Sequence, residues 1–565
     1  MKLFTKILLL SILLLNQQSV AQRYAPPVDF KILLSGTFGE LRSNHFHTGI
    51  DIKTKGVEGH EIKAIADGYI SRIKVSSWGY GKTIYLTHPQ TGHTSVYAHL
   101  QKFSSKIDSL VIKEHYKKEK FEIDFFPKRR LLIKQGEVIA LSGNSGSSAG
   151  AHLHFEIRDT KSEKPINPLH LGFKVKDDIS PTLVNLKIYA FDTTLIDGYN
   201  KDKIYPVKKN NNTYSLKKTP TINGAFGLGI YTYDKGNDSY NKNGIYSIKL
   251  SIDNILYYEF KVDTLNFSTK RYINAHIDYF EKKETNKKYH KCYKVTNNRL
   301  NNYPIIINDG IINFDDTITH KIKLEVSDIY NNNSTLNFNV KATNNPFLLK
   351  CPIIKNSKLI AFKLEKPNIF KTDNFTIHMK PYSLYEDISL NYQTTDSIEG
   401  VFGLVHNLHK NTVPVHKKYI LSIKTNVPDS LKNKVYIATT DMKGNFWYLG
   451  GTWKQGFLRS KVREFGNFCV VADTTKPEIR GLNIFNGKEL NNQTNIKCII
   501  KDKHSGINKY RAEIDGKWIL MEYDHKRNLL QFNINNSLTR GEHIFTLQVI
   551  DNVGNEKIYT NTFNY

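Results

Sequence analysis

Cysteine is scarce. Four residues, Cys292, Cys351, Cys469 and Cys498, occur in a chain of 565, all in its rear half and none at a paired spacing. That argues against a disulfide framework and a thiolate zinc site, while leaving one or two disulfides open in an oxidising compartment. Long apolar runs are nearly absent as well. The one near the start, residues 7–15, follows Lys2 and Lys6, precedes Ser19-Val20-Ala21, and falls well short of the roughly 20 residues that cross a bilayer. It reads as a signal peptide over residues 1–21 ending at Ala21, so the mature chain is expected to be exported, to the periplasm or the cell exterior, without a transmembrane anchor. No cysteine near that junction suggests a lipid anchor. Acidic residues are outnumbered, 53 Asp and Glu against 80 Lys and Arg, for a net charge of +27. The excess is spread along the chain and no motif of a nucleic-acid reader accompanies it. The charge therefore marks attraction to anionic polymers and assigns no nucleic-acid role.

At this length one core is not enough, and three to five domains are expected from a typical size of about 100–200 residues. Short β-type runs at 61–66, 69–75, 82–87, 94–99, 137–142 and 152–158 alternate with glycine-bearing turns, which predicts a compact antiparallel β domain over residues 22–176. A Lys-rich stretch with helical character at 106–120 breaks that pattern and marks residues 101–132 as an insertion. Beyond Asp177, alternating strands at 246–252, 320–326, 419–423 and 543–549 favour β-sandwiches. Proline-bearing junctions, Asp177 to Pro181 and Asp473 to Pro477, suit a chain entering the first strand of a new module. The phrase Ile550-Asp551-Asn552-Val553-Gly554-Asn555 and its weaker relative Val326-Ser327-Asp328-Ile329-Tyr330-Asn331 suggest immunoglobulin-like modules at 177–345 and 473–565. Between them, 346–472 is β-rich and of uncertain type. The expected fold class is mainly all-β.

Two segments carry candidate chemistry. His47-Thr48-Gly49-Ile50-Asp51 sets an imidazole and a carboxylate four residues apart around a glycine, where a bend turns both towards one point. His152-Leu153-His154 lies in a β-type run, in which residues two apart share a face. A catalytic zinc takes nitrogen and oxygen donors from three protein ligands and keeps a fourth position open. Two histidines and one aspartate from these segments satisfy that requirement.

With their flanks, these segments resemble the lysostaphin-type, LytM-like zinc endopeptidases of peptidoglycan. The matching stretches are Phe38-Gly39-Glu40-Leu41-Arg42, His47-Thr48-Gly49-Ile50-Asp51-Ile52, Ala66-Asp67-Gly68-Tyr69-Ile70, Tyr97-Ala98-His99-Leu100, Lys134-Gln135-Gly136-Glu137-Val138-Ile139, Gly143-Asn144-Ser145-Gly146 and His152-Leu153-His154-Phe155-Glu156. They run in the family's order over roughly residues 30–170. The resemblance implies that His47, Asp51 and His154 ligate one Zn2+ per chain, with His99 and His152 beside it as catalytic residues. Those two would orient or deprotonate the attacking water, hydrogen-bond the oxyanion and help protonate the leaving amine. No His-Glu-x-x-His helix supplies a glutamate base, so the histidine pair must do that work. Two departures stand out: Ala151 precedes the histidine pair where the family usually has proline, and the 101–132 insertion is long enough to cover or shape the cleft. His45 is a decoy by proximity, and His60, His88 and His93 read as solvated loop residues.

The resemblance implies a secreted zinc metalloendopeptidase that hydrolyses peptide cross-links of bacterial peptidoglycan. Its rear β-modules would place it on the wall, on stem peptides or on other cell-wall proteins. The alternative is a non-catalytic LytM-like regulator that activates other wall hydrolases. Retention of all three ligands and both accessory histidines weighs against that. In a third reading, adhesion through the sandwiches, the histidines would be dispensable.

Overall fold

The computed structural model describes residues 24–344, 360–490, 493–534 and 538–565, so the expected signal peptide and Cys351 lie outside the described residues. In the front domain the chain runs through β1 (Leu34–Gly36), β2 (Ile50–Lys53), β3 (Glu61–Lys63), β4 (Gly68–Val75), β5 (Lys82–His88), β6 (His93–Leu100) and β7 (Lys102–Phe103). A helix, α1 (Ser105–Lys118), follows, and then β8 (Ile123–Phe125), β9 (Leu131–Ile133), β10 (Val138–Leu141) and β11 (His152–Asp159). The larger sheet has the order β1-β2-β11-β6-β5-β4-β8, with β9 beside β4, and β3-β10-β7 form a second, small sheet.

Strand β11 lies inside the larger sheet, antiparallel to β2 on one side and β6 on the other. Its alternation separates two faces. Leu153, Phe155 and Ile157 enter the hydrophobic core, leaving His152, His154, Glu156 and Arg158 on the opposite face. Six of its eight residues are buried, so that second face is polar and largely shut off from water. Helix α1 buries Ile107, Val111 and His115, spaced four apart along one stripe.

Residues 182–342 build a twelve-stranded sheet system whose core is continuous with that of the front domain, one cluster that begins at Val28 and also takes in Tyr385 of the following region. Phe46, one residue before His47, packs on Phe260 of this second module at a ring-centroid distance of 6.2 Å. Residues 360–472 have two five-stranded sheets, a two-stranded one and two hydrophobic clusters, and residues 478–564 pair a four-stranded with a five-stranded sheet around a separate core. The chain is thus mainly β throughout. Cys292, Cys469 and Cys498 are buried and unpaired with one another. Among the described residues no helix is long and apolar enough to cross a membrane.

Candidate metal centre

Strand register brings the centre together. Asp51 on β2 lies directly opposite His154 on β11, so their side chains emerge side by side on the polar face. Gly49 stands at the bend leading into β2, where an added Cβ would come 2.3 Å from the Phe155 carbonyl oxygen. Only glycine lets that segment lie against β11. His47 is held in a loop by two backbone hydrogen bonds, its carbonyl accepting from Gly39 N at 2.8 Å and its amide donating to Glu40 O at 2.9 Å.

Three donor atoms of buried residues converge. His47 Nε2 is 3.0 Å from Asp51 Oδ1 and 3.0 Å from His154 Nδ1, and His154 Nδ1 is 2.9 Å from Asp51 Oδ1. The partners of the far ring nitrogens fix the tautomers. His47 Nδ1 sits 2.8 Å from Thr37 O, and a carbonyl only accepts, so Nδ1 carries the hydrogen and Nε2 the lone pair. His154 Nε2 donates to Glu156 Oε1 at 2.9 Å, which in the neutral ring leaves Nδ1 with the lone pair. Two imidazole nitrogens and a carboxylate oxygen within 3.0 Å of one another need a positive charge among them, either the proton of a charged His154 or a metal ion. The donor set is the nitrogen and oxygen set that zinc takes.

The electrostatics point the same way. Burial opposes ionisation of Asp51, yet His47, His152 and His154 together hold its carboxyl well below the usual carboxylate range. Burial opposes a charged His154, but the carboxylates of Asp51 and Glu156 on its two nitrogens raise it to about 9. The pocket thus draws positive charge to the point where the three donors meet. Arg42 Nη2 pairs with the outer oxygen of Asp51 at 2.8 Å, leaving Oδ1 to the centre.

His99 and His152 stand beside this trio. Their ring centroids are 4.9 Å apart, and His99 lies 5.8 Å from His154. The β5–β6 register shifts between Lys82 and Ile84, so that Ala98 and His99 together oppose Thr83. At this bulge His99 takes φ +60°, a left-handed conformation uncommon outside glycine, which re-aims its ring. Its Nδ1 donates to Ser145 O at 2.9 Å, and burial followed by repulsion from His154 and His152 lowers it to about 3, so it is neutral at pH 7. His152 Nδ1 donates to Gly150 O at 2.9 Å, and its Nε2 lies 3.4 Å from Asp51 Oδ1. His99 therefore keeps Nε2 with a lone pair, while His152 turns its Nε2 towards the Asp51 carboxylate.

All five sequence-predicted residues are in one place, while the residues that hold them went unassigned. Glu156, fully buried, accepts from His154, from Thr48 Oγ1 at 2.5 Å, from the Tyr80 hydroxyl and from Arg158 Nε at 2.6 Å. Its position two residues beyond His154 on the same strand was the available signal. His45 is exposed and does not join the trio. His88 corrects the expectation of a solvated loop residue. It is fully buried at the end of β5, donating from Nδ1 to Asp67 O at 2.9 Å with Nε2 2.8 Å from Ser95 Oγ.

The last module reaches this region. Lys526 Nζ donates to Ser148 O at 3.0 Å, and Ser148 Oγ in turn lies 3.1 Å from His152 Nδ1. His525 packs on Trp78 with ring centroids 3.5 Å apart, and Glu522 pairs with Lys82 at 2.8 Å. The 101–132 stretch meets the same module through Tyr116 on Trp518 and Glu119 with Arg511.

Residues 45–115 match the family model of Peptidase family M23, and residues 360–473 match that of the Zu5-like domain. The DD-carboxypeptidase/endopeptidase Mpg of Neisseria meningitidis is 31% identical over 132 residues, which are 23% of this chain and 24% of that protein. An uncharacterized metalloprotease of Haemophilus influenzae is 33% identical over 123 residues, 22% of this chain and 20% of the relative. The chain thus spans about a quarter or less of the length of the curated relatives it matches. Among solved structures, the catalytic domain of lysostaphin from Staphylococcus simulans is 24% identical and covers 24% of this chain and 86% of that one, with a TM-score of 0.18. The front domain of this chain is a LytM-like domain of peptidase family M23.

Proposed function

We propose that the chain is an exported zinc-dependent endopeptidase that hydrolyses peptide cross-links of bacterial peptidoglycan. In this reading His47, Asp51 and His154 are the metal ligands, and His99 and His152 the catalytic pair. The observation that carries it is the convergence of two imidazole nitrogens and one carboxylate oxygen within 3.0 Å, beside two further histidines whose far nitrogens are already committed.

Zinc held by His47 Nε2, Asp51 Oδ1 and His154 Nδ1 would supply Lewis acidity for the scissile carbonyl and the attacking water. The protein's own groups handle the protons. Burial keeps His99 neutral, so its Nε2 can accept a proton from the water. The two Nε2 atoms of His99 and His152 divide three tasks between them: taking that proton, hydrogen-bonding the oxyanion and delivering a proton to the leaving amine. Glu156 and Thr37 keep the ligand imidazoles in the tautomers that leave lone pairs for the metal. We assign the rear of the chain to immunoglobulin-like modules at 177–345 and 473–565 flanking the 346–472 domain, which position the catalytic domain on the wall or on wall proteins.

Mass spectrometry of muropeptides tests this. The chain from Gln22 onwards, incubated with purified peptidoglycan, is expected to release cross-link fragments with new amino termini, and His154→Ala to release none. Intact cross-links after incubation with the zinc-loaded wild type would remove peptidoglycan hydrolysis from the account.

A further inference from the structure

Two trios of aspartates lie outside this centre, each offering oxygens that all fall within 4.8 Å of one another: Asp177, Asp234 and Asp328, and Asp473, Asp502 and Asp551. They are built alike. Asp177 and Asp473 occupy the two proline-bearing junctions, and each accepts the amide two residues on, from Ile179 at 3.1 Å and from Thr475 at 3.0 Å. Asp328 accepts the amide and side-chain amide of Asn332, as Asp551 does those of Asn555. Asn332 Nδ2 then donates to Asp177 O at 3.0 Å, and Asn555 Nδ2 to Asp473 O at 2.9 Å. Thus one arrangement occurs twice, in two modules with separate cores.

The charge is uncompensated. In a chain of net charge +27, among the described residues no Lys, Arg or His nitrogen lies within 4.0 Å of any of these six carboxylates. Unpartnered oxygens are buried at the first trio. Asp234 is 3% exposed and Asn243 4%, they bridge each other through their backbones, and each keeps a buried Oδ1 with no hydrogen-bond donor. Both line the same cleft as Asp177 and Asp328. At the second, Ser505 is 2% exposed, donates its amide to Asp473 Oδ2 at 3.1 Å, and has a buried Oγ without a partner. Burying carboxylates without a counter-charge costs several kcal/mol per ion, on the order of the stability of a whole domain. Burial and then the neighbouring Asp177 and Asp328 push the Asp234 carboxyl up to about 8.

We propose that both trios are binding sites for a hard divalent cation of the calcium type. The donors are all oxygen, from carboxylates with an amide or hydroxyl at hand, and contain neither nitrogen nor sulfur. That suits Ca2+, which takes six to eight oxygens at about 2.3–2.6 Å, and disfavours zinc. Position gives the sites a role. The cleft at the first trio is lined by Leu33, Leu34 and Phe38 of the front domain as well as by the second module, so a cation there pins the seam between them. Asp473, whose amide donates to Lys434 O at 2.9 Å, does the same between the 360–472 region and the last module.

The test uses the full, zinc-loaded chain and CaCl2, and it reads no enzymatic activity, so it stands apart from the peptidase assignment. Equilibrium dialysis is expected to give two Ca2+ per chain, with one lost in Asp234→Asn, a different one in Asp551→Asn, and a melting temperature that rises with Ca2+ in the wild type. Because those variants can perturb folding, TbCl3 luminescence excited through tyrosine provides a second reading. Tyr330 lines the first cleft, so Tyr330→Phe should dim the emission without changing the number of ions bound. No Ca2+ bound at millimolar concentration, or two ions still bound by the double variant, would overturn the proposal. So would a melting temperature that responds to acid but not to Ca2+, because the trios would then hold protons instead.

Discussion

Glu156 shows how much of this centre depends on a side chain that touches no substrate. It is fully buried, and its two oxygens take hydrogens from His154, Thr48, Tyr80 and Arg158. Replacing it with Gln leaves the shape but allows the amide to present an N–H to His154 Nε2, which releases the tautomer. Glu156→Gln should weaken zinc binding by about 10–100-fold, read by competition with a chromogenic chelator, with the fold intact. His99 predicts the opposite split. Its ring is beside the trio and not in it, so His99→Ala should keep its zinc while the rate of peptide hydrolysis falls by about 100–10,000-fold. Zinc loss in that variant would move His99 among the ligands. The contrast also marks what the sequence could tell. Residue type and spacing pointed to His47, Asp51, His152 and His154, and the family resemblance added His99. Glu156 was visible only as the next same-face residue after His154, and the burial of His88 depends on Asp67 and Ser95, which nothing local announces.

Strands were legible for a simple reason. Alternation and glycine turns are local, and the runs expected at 69–75, 82–87 and 152–158 correspond to β4, β5 and β11 within a residue or so at each end. Register is not local. That Asp51 faces His154 depends on a pairing across about a hundred residues, and the bulge that gives His99 its positive φ has no signature in Tyr97-Ala98-His99-Leu100. Gly49 is where register and chemistry meet. A Cβ there runs into the β11 backbone, so Gly49→Ala should destabilise the front domain by about 1–3 kcal/mol in chemical denaturation and loosen zinc at the same time. In the second module, Lys187 is buried between Asp278 at 2.7 Å and Glu281 at 3.1 Å. Burial alone would raise the Asp278 carboxyl, but the Lys187 hydrogen bond and the Glu281 amide bring it below its ordinary value. A carboxyl depressed in the folded state contributes stability above its unfolded pKa of about 3.9 and loses it as pH falls through the folded value. Lys187→Met strands two buried carboxylates, so it should cost about 3–5 kcal/mol at neutral pH, a deficit that shrinks as pH falls and the stranded carboxyls protonate, followed by chemical denaturation across pH.

The modules share the work of the site. The loop that carries His47 is braced from behind by the second module, through Thr37 with Gly244, Lys288 on Leu41 O and Phe46 on Phe260. On the other side, the last module meets the loop that supports His152 through Lys526 on Asn144 and Ser148, and the neighbouring β4–β5 turn through His525 on Trp78. Contacts of that kind are individually weak, so they should break without unfolding either module. The pair of changes Glu522→Lys and Lys526→Glu should therefore speed cleavage of polymeric peptidoglycan several-fold while leaving a short peptide substrate unaffected. Equal rates on the polymer would mean that the contact does not restrict the cleft. The hydrolytic account as a whole is best tested by titrating metal-free full-length protein with Zn2+ while counting the amino groups released from peptidoglycan. Release should climb from zero to a plateau at one zinc per chain and stay at zero for His154→Ala. Cleavage without zinc, or by the His154→Ala protein, would contradict it.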